Sequence, residues 1–447
     1  MQAEVLDLAG VGVGPFNLSL AALLAPHAAA ASFKHRFYER RPNFDWQSGM
    51  MLRNTRMQTS FLKDLVTPVD PTNRCSFLAY LVEKGRFYRF LNADFSRAMR
   101  VEFADYMRWA SEQLPSLEFG APVREVAFED GAFMLRFDRK NPVRARNLVV
   151  GTGGRPNVPA WAERHMGGVC FHSGGYMRND MSMCGQRVLV VGGGQSGAEV
   201  FLDVCSGARG DPSSVTWVSR RPNLDPLDET TFANEYFTPQ YVNAFHGLPQ
   251  ARRAALVESQ KLAGDGASPH SLHEISQFLY EQDFLRGERL NYRIRTYRDV
   301  RAMSREHGAF RVEMYNAFDQ QHETAVADVV ILATGYRTAL PDCMGALGEQ
   351  LERDRDGYLT LSTDYRARWS GGEQHRIYVQ NGGRYSHGIA DPQLSLAAYR
   401  SAVIVNSVLG GEVYRTDVEP TPLQWQSAHL DMPESPRRDR NRWPAPV

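Results

Sequence analysis

The residues best placed to do chemistry are glycines. Residues 187–191, Arg-Val-Leu-Val-Val, run straight into Gly192-x-Gly194-x-x-Gly197, and apolar residues then recur at helical spacing over 198–204. A strand, a tight turn and a helix in that order form the phosphate-binding turn of a dinucleotide fold. The first glycine makes the turn, the second admits a pyrophosphate to the backbone, and the third lets helix and strand pack closely, with the helix N-terminus facing the anion. The same device opens the chain, where residues 5–9 lead into Gly10-Val11-Gly12-Val13-Gly14-Pro15-Phe16-Asn17 and a helical run over 18–24. With Gly12 and Gly14 as the first two glycines, Asn17 stands at the third place, which is a departure. Pro15 falls where a missing N–H in a first helical turn costs little.

The next strand after each turn ends in a different charge. Residues 35–39 end in Glu39, a carboxylate that can accept from a free ribose 2′-OH. Residues 215–219 end at Arg220 and Arg221, two guanidinium groups suited to a 2′-phosphate. The first site is therefore expected to take FAD and the second NADPH, with Gln195 and Ser196 lying inside the second turn.

Two such turns need two domains to carry them, and 447 residues suffice for two or three. A short apolar strand ending in Gly151-Thr152-Gly153, and another ending in Ala333-Thr334-Gly335, each follow one nucleotide motif and read as crossings between the domains. The expected fold is α/β, with two Rossmann-like dinucleotide-binding domains and a small helical substrate-binding insertion. Residues 1–180 and 337–430 are assigned to the FAD-binding domain, 181–221 and 291–336 to the NADPH-binding domain, and 222–290 to the helical segment. Within them the periodicity predicts helices over 77–90, 101–114, 252–262, 271–284 and 386–408, and a hairpin over 122–137 turning at Asp130-Gly131. Residues 431–447, rich in proline and arginine, are expected to be a disordered tail.

Composition excludes several classes. With 51 basic and 51 acidic residues the formal charge is zero, so no nucleic-acid or acidic-lipid partner is implied. No apolar run reaches membrane-spanning length and no basic leader precedes residues 18–24, so a cytoplasmic protein is expected. The five cysteines form no Cys-x-x-Cys, and the twelve histidines show no close ligand spacing, which argues against a disulfide framework, a dithiol redox centre and a metal site. Phe44 and Trp46, in an irregular stretch with Gly49, suit either a core or a loop over the flavin. Lys63, in a stretch of mixed polarity, reads by itself as a solvated charge.

The sequence resembles the flavin-dependent N-hydroxylating monooxygenases of siderophore biosynthesis, especially the lysine N6-hydroxylase and diamine hydroxylase branch. The resemblance runs to about residue 426. It rests on Gly-Val-Gly-Pro-Phe-Asn at 12–17, Met-Gln-Thr-Ser-Phe-Leu-Lys-Asp-Leu at 57–65, Gly-Gly-Gly-Gln-Ser-Gly at 192–197, Asn-Glu-Tyr-Phe-Thr-Pro at 234–239, Ala-Thr-Gly-Tyr at 333–336 and His-Gly-Ile-Ala-Asp-Pro-Gln-Leu-Ser at 387–395. It implies an FAD enzyme that takes NADPH and O2, forms a flavin C4a-hydroperoxide and passes the distal oxygen to a terminal primary amine. It further implies that Lys63 and Gln58 contact the substrate, that Gln58, Trp46 and Gln47 lie at the flavin, and that Asn234 sits between substrate and nicotinamide ribose. Gln47 stands where the family often has histidine. Ser395 is carried over as a substrate contact, Val126 and Leu394 as FAD contacts and Tyr336 as an NADP contact. A homo-oligomer, dimer or tetramer, is also implied.

The chemistry sets demands of its own. An alkylamine with a pKa of about 10.4 offers no lone pair at neutral pH, so the site must desolvate it or accept its proton, and hold it in place. The sequence assigns no general base. The ornithine branch carries an asparagine near Gly264-Asp265-Gly266 that is missing here. Asp265 in its place tilts the reading to a diamine, putrescine or cadaverine, with L-lysine, whose carboxylate would meet Lys63, as the alternative. A disulfide reductase is disfavoured by the missing dithiol, and a non-catalytic flavin-binding protein is the reading from another class.

Overall fold

Strand Val5–Val11 lies inside a sheet whose strands run Arg366–Ala367, Ile377–Val379, Val143–Val150, Val5–Val11, His35–Tyr38, Leu117–Glu118 in a computed structural model. The structure describes residues 5–28, 30, 32–287, 290–417 and 421–427, so the expected tail at 431–447 lies outside the described residues. Val5–Val11 pairs in parallel with both neighbours, placing Ala9 beside Arg36 and Leu148. Helices Pro15–Ala28, Arg100–Glu112 and Ala397–Leu409 supply the core on one face, which is why Pro15–Ala28 is apolar nearly all round. The hairpin Val123–Glu129 and Ala132–Phe137 closes the other face. It turns at Asp130 and Gly131, both at positive φ, as a two-residue turn that follows the strand twist requires.

The second sheet is parallel throughout, in the order Tyr292–Arg295, Ser214–Val218, Arg187–Val191, Val329–Leu332, Cys170–His172. Helices Gln195–Cys205 and Pro269–Phe284 cover one side. An antiparallel layer of Arg298–Glu306, Ala309–Asn316 and Gln321–Ala327 covers the other, burying Phe310, Val312 and Met314 against Val191, Val218 and Leu332. This layer is absent from the sequence expectations.

The two crossings meet. Arg155–Pro156 pairs antiparallel with Tyr336–Arg337, and Asn157 and Thr334 exchange side-chain bonds to each other's carbonyls, so both connections form one ribbon. The insertion is helical, as expected, with Pro239–His246 capped by Thr238 and Pro269–Phe284 capped by Ser268.

Two helices differ from expectation. The run 77–90 is two helices, Phe77–Glu83 and Phe87–Asn92, because Gly85 at φ +65° ends the first in a Schellman motif, with Arg86 N–H bonded to Leu81 O and Gly85 N–H to Val82 O. The last helix begins at Ala397, not 386. A turn of helix Arg384–His387 stops at Gly388, φ +82°, and Pro392 follows. Among the described residues no helix is long and apolar enough to cross a membrane, and no group of side chains could hold a metal ion.

Candidate active site

A cleft of about 1350 Å3 runs between the two sheets, larger than the roughly 300–1,000 Å3 typical of a small-molecule pocket. The first nucleotide turn, the loop at 45–50, the stretch 56–60 with Lys63, the crossing ribbon and the mouth of the insertion all line it.

At the first turn each position has a visible reason. Gly12 sits at φ +85°, and a side chain there would strike Gly151 O. Gly14 has only Gly151 O at 3.7 Å from where a Cβ would stand, leaving room on the cleft side. Asn17 is fully buried and donates to Gly12 O at 2.8 Å, while a Cβ on Gly151 would stand 2.4 Å from its amide. It thus fastens turn to helix by a hydrogen bond where glycine would do so by close packing. Glu39 accepts from Val13 N–H at 2.8 Å and Arg41 N–H at 3.0 Å, which leaves acceptor capacity beside the turn.

The second turn keeps all three glycines. Gly192 lies at φ +128° with Ala333 O where a side chain would go, and Gly197 packs on Gly192 O, which also accepts from the Trp217 indole at 2.7 Å. A Cβ on Gly194 would meet nothing nearer than Asp265 Oδ1, at 3.9 Å. Arg221 is held by the insertion, donating to Asp265 O at 2.8 Å and pairing with its carboxylate at 3.2 Å, with Nη1 buried and unpartnered. Arg220 is exposed. Of this group Gln195 and Ser196 line the main cleft, whereas Gly192, Gly194, Gly197, Arg220 and Arg221 do not.

Both turns fit their expected groups. Each helix N-terminus faces open space at its second glycine, beside an acceptor in one case and an orphaned guanidinium nitrogen in the other.

Between the turns the domains are tied by ions. Arg100, at the start of its helix, holds Glu199 through two bonds of 2.7 and 3.0 Å and donates to Met50 O at 2.9 Å. Gln195 donates to Glu199 and Ser271 and accepts from Ser268 N–H, fixing the insertion helix to the second turn. Tyr336 packs edge-on to His172 at 5.1 Å. Burial keeps that imidazole below its usual pKa, and both ring nitrogens are engaged, by Gly174 N–H and Gly335 O. It is no free base. The loop at 45–50 carries Gln47 in a left-handed conformation, φ +54°, and Trp46 edge-on to Phe103. A side chain on Gly49 would overlap Gly174 O.

At the amine end, Gln58, Lys63, Asn234, Leu394 and Ser395 line the cleft together. Burial pulls the Lys63 ammonium below the usual lysine range, partly offset by Glu235, and it makes no hydrogen bond among the described residues. Ser395 Oγ is buried without a partner. Two expected contacts lie elsewhere. Asp265 is engaged by Arg221 at the second turn and does not line the cleft, although its neighbour Gly264 does. Val126 is a buried core residue on the hairpin; Pro122, Val123 and Arg124 reach the cleft instead.

One group escaped the sequence reading. Arg400 is 1% exposed, stacked over Phe16 at 4.5 Å, bonded to Asn381 Oδ1 at 2.8 Å and paired with Asp391 at 3.2 Å. It fixes Asn381 and Asp391 at the wall of the first site. An arginine inside an apolar helix was the signal available.

Two dinucleotide turns, one opening on the cleft and the other reaching it through Gln195 and Ser196, define a two-nucleotide flavoprotein, and comparison with known proteins narrows the class. The family model of L-lysine 6-monooxygenase/L-ornithine 5-monooxygenase matches residues 4–338. The L-lysine N6-monooxygenase of Escherichia coli is 39% identical over 424 residues, 94% of this chain and 99% of that protein. The FAD-bound cadaverine monooxygenase of the desferrioxamine pathway of Erwinia amylovora superposes with a TM-score of 0.87 at 28% identity, covering 95% of this chain and all of that one. The ornithine N-hydroxylase of Kutzneria sp. 744, solved with reduced FAD, NADP+ and L-ornithine, gives 0.83 at 29% identity over 91% of this chain and 99% of its own. The chain belongs to the L-lysine 6-monooxygenase/L-ornithine 5-monooxygenase family, the flavin-dependent N-hydroxylating monooxygenases of siderophore biosynthesis that its motifs resemble. It is an enzyme, and its cofactors are FAD and NADPH.

Proposed function

We propose that the enzyme hydroxylates the side-chain amine of L-lysine. The observation that carries this is Lys63, a half-buried cation in the cleft with no hydrogen-bonding partner, whose charge an α-carboxylate would satisfy. A diamine has no such anion, and the acid that favoured a diamine, Asp265, is committed to Arg221. Similarity to the E. coli lysine enzyme supports the same choice. Cadaverine is the second reading, favoured by the likeness to the Erwinia amylovora enzyme.

In this reading the Gly14 turn, Asn17 and Glu39 hold FAD, with Gln47 and Trp46 over it. The Gly194 turn, Gln195, Ser196, Arg220 and Arg221 hold NADPH, with Tyr336 at the crossing. Residues 1–180 with 337–430, 181–221 with 291–336, and 222–290 serve as the FAD, NADPH and substrate portions. Bound FAD, reduced by NADPH, supplies the activation of O2. The chain supplies position and dryness: Lys63 holds the carboxylate, Asn234 and Ser395 offer polar contacts along the substrate, and the cleft walls desolvate the amine so that its neutral form is favoured.

The test is hydroxylamine production from L-lysine, L-ornithine, cadaverine and putrescine by the parent and by Lys63→Ala. The expected result is the highest kcat/KM with lysine, and a KM for lysine raised about tenfold or more in the variant while that for cadaverine is unchanged. A diamine as best substrate, insensitive to Lys63→Ala, establishes the second reading.

A further inference from the structure

Glu229, on the loop that leads to Asn234, is a carboxylate with one satisfied oxygen. Its Oε2 pairs with Arg97 Nη2 at 2.6 Å, and both residues line the cleft, with Arg97 32% and Glu229 19% exposed. Its Oε1 is buried with no partner. Its backbone carbonyl accepts from the Asn234 amide at 3.5 Å, so acid and amide sit together where the cleft meets the insertion. Leaving a desolvated carboxylate oxygen unbonded is costly, and a cation that enters and donates to it removes that cost.

Of the other cleft carboxylates, Asp228 accepts from Thr230 N–H and Oγ1, and the exposed Asp342 pairs with Arg155. Glu199 is held at both oxygens by Arg100, and Asp45 is held at Oδ2 by Arg178 and Ser48. Glu39 serves the first turn. Asp391 Oδ1 also lacks a hydrogen bond, but the Arg400 guanidinium lies 3.2 Å from it. Among the described residues, Glu229 alone of the cleft carboxylates combines a contact to Asn234 with a buried oxygen that has no hydrogen-bond partner.

We infer that Glu229 is the acceptor for the ammonium at the far end of the substrate. This rests on the amine-hydroxylase reading above but not on the choice between lysine and cadaverine. Counting from the amine that is oxidised, the α-ammonium of lysine and the second ammonium of cadaverine both stand five carbons away. Lysine adds a carboxylate to the same carbon. Lys63 then reads the carboxylate and Glu229 the ammonium, while Arg97 holds Glu229 in place through its other oxygen.

Three amines separate these roles: L-lysine carries both far-end groups, cadaverine only the ammonium and 6-aminohexanoate only the carboxylate. KM is measured for each with the parent, Glu229→Gln and Glu229→Asp holoenzymes, or Ki where a compound binds without being hydroxylated, together with KM for NADPH. Glu229→Gln is expected to raise KM about tenfold or more for lysine and cadaverine. The value for 6-aminohexanoate and that for NADPH are expected to stay within about twofold, since neither presents a far-end ammonium. Glu229→Asp, which keeps the charge with a shorter reach, is expected to fall between and to fold should the glutamine variant not. An equal rise for all three compounds, or no rise for either ammonium-bearing one, overturns the assignment. Cadaverine as best substrate overturns only the lysine reading. A parent that hydroxylates neither overturns both.

Discussion

The two nucleotide turns of this chain solve one problem with different side chains. At the second, Gly197 packs on Gly192 O and the Trp217 indole fixes that carbonyl. At the first, Asn17 occupies the third place and reaches back to Gly12 O at 2.8 Å, with Gly151 kept small to make room for it. The strand ends diverge further: Glu39 braces the first turn through Val13 N–H and Arg41 N–H, whereas Arg221 is braced by the insertion through Asp265. The difference teaches that the first turn is a self-contained binding element. The second is coupled to the substrate segment, through Asp265 on one side and Gln195, Ser268 and Ser271 on the other.

That contrast can be broken first at Gly14. A valine there fits the fold, with only Gly151 O near its Cβ, but stands where a pyrophosphate must approach, so purified Gly14→Val should carry no flavin. Full flavin content by absorbance would remove the first turn from the cofactor site.

The arginines come next. Replacing Arg220 and Arg221 with alanine should cut the preference for NADPH over NADH by about 10- to 100-fold in steady-state kinetics, the worth of a charge-assisted phosphate contact. Asp265→Asn, by loosening Arg221, should change KM for NADPH and leave KM for the amine within about twofold. A change confined to the amine would return Asp265 to the substrate site.

A smaller effect is expected at Asn17. Asn17→Ala should cost about 1–3 kcal/mol of stability in denaturant titration, because Gly12 O loses its donor in a buried site. An unchanged midpoint would show that the bond is incidental.

The smallest is a pH effect. Burial lowers the Lys63 pKa, so its ammonium is lost below the usual 10.5. KM for lysine should therefore climb on the alkaline side before ordinary lysine titration, and KM for cadaverine should not follow. Parallel profiles would argue against a carboxylate contact.

What was legible in the sequence follows the same division. Both turns, the crossings at 151–153 and 333–335 and the helical insertion could be read because each carries a local signal of glycine spacing or helical period. The antiparallel layer at 298–327 could not be read so easily. Phe310, Val312 and Met314 alternate with exposed Arg311 and Glu313, but the outer strand Gln321–Ala327 buries only Ala327 and shows little period. The break at Gly85 was hidden because apolar spacing continues through it. Asp265 was misplaced for a spatial reason: its partner Arg221 lies 44 residues away and no local pattern announces the pair. Arg400 and Glu229 are likewise defined only by what surrounds them once the chain has folded.

The most direct test of the two-site account is the reduction of Gly194→Val under anaerobic conditions, followed by flavin absorbance. A Cβ there would meet only Asp265 Oδ1, at 3.9 Å, so the protein should fold and keep its flavin. The account expects that flavin to be bleached by dithionite but not by NADPH at concentrations that reduce the parent fully. Loss of flavin from this variant, or full reduction by NADPH, would contradict it.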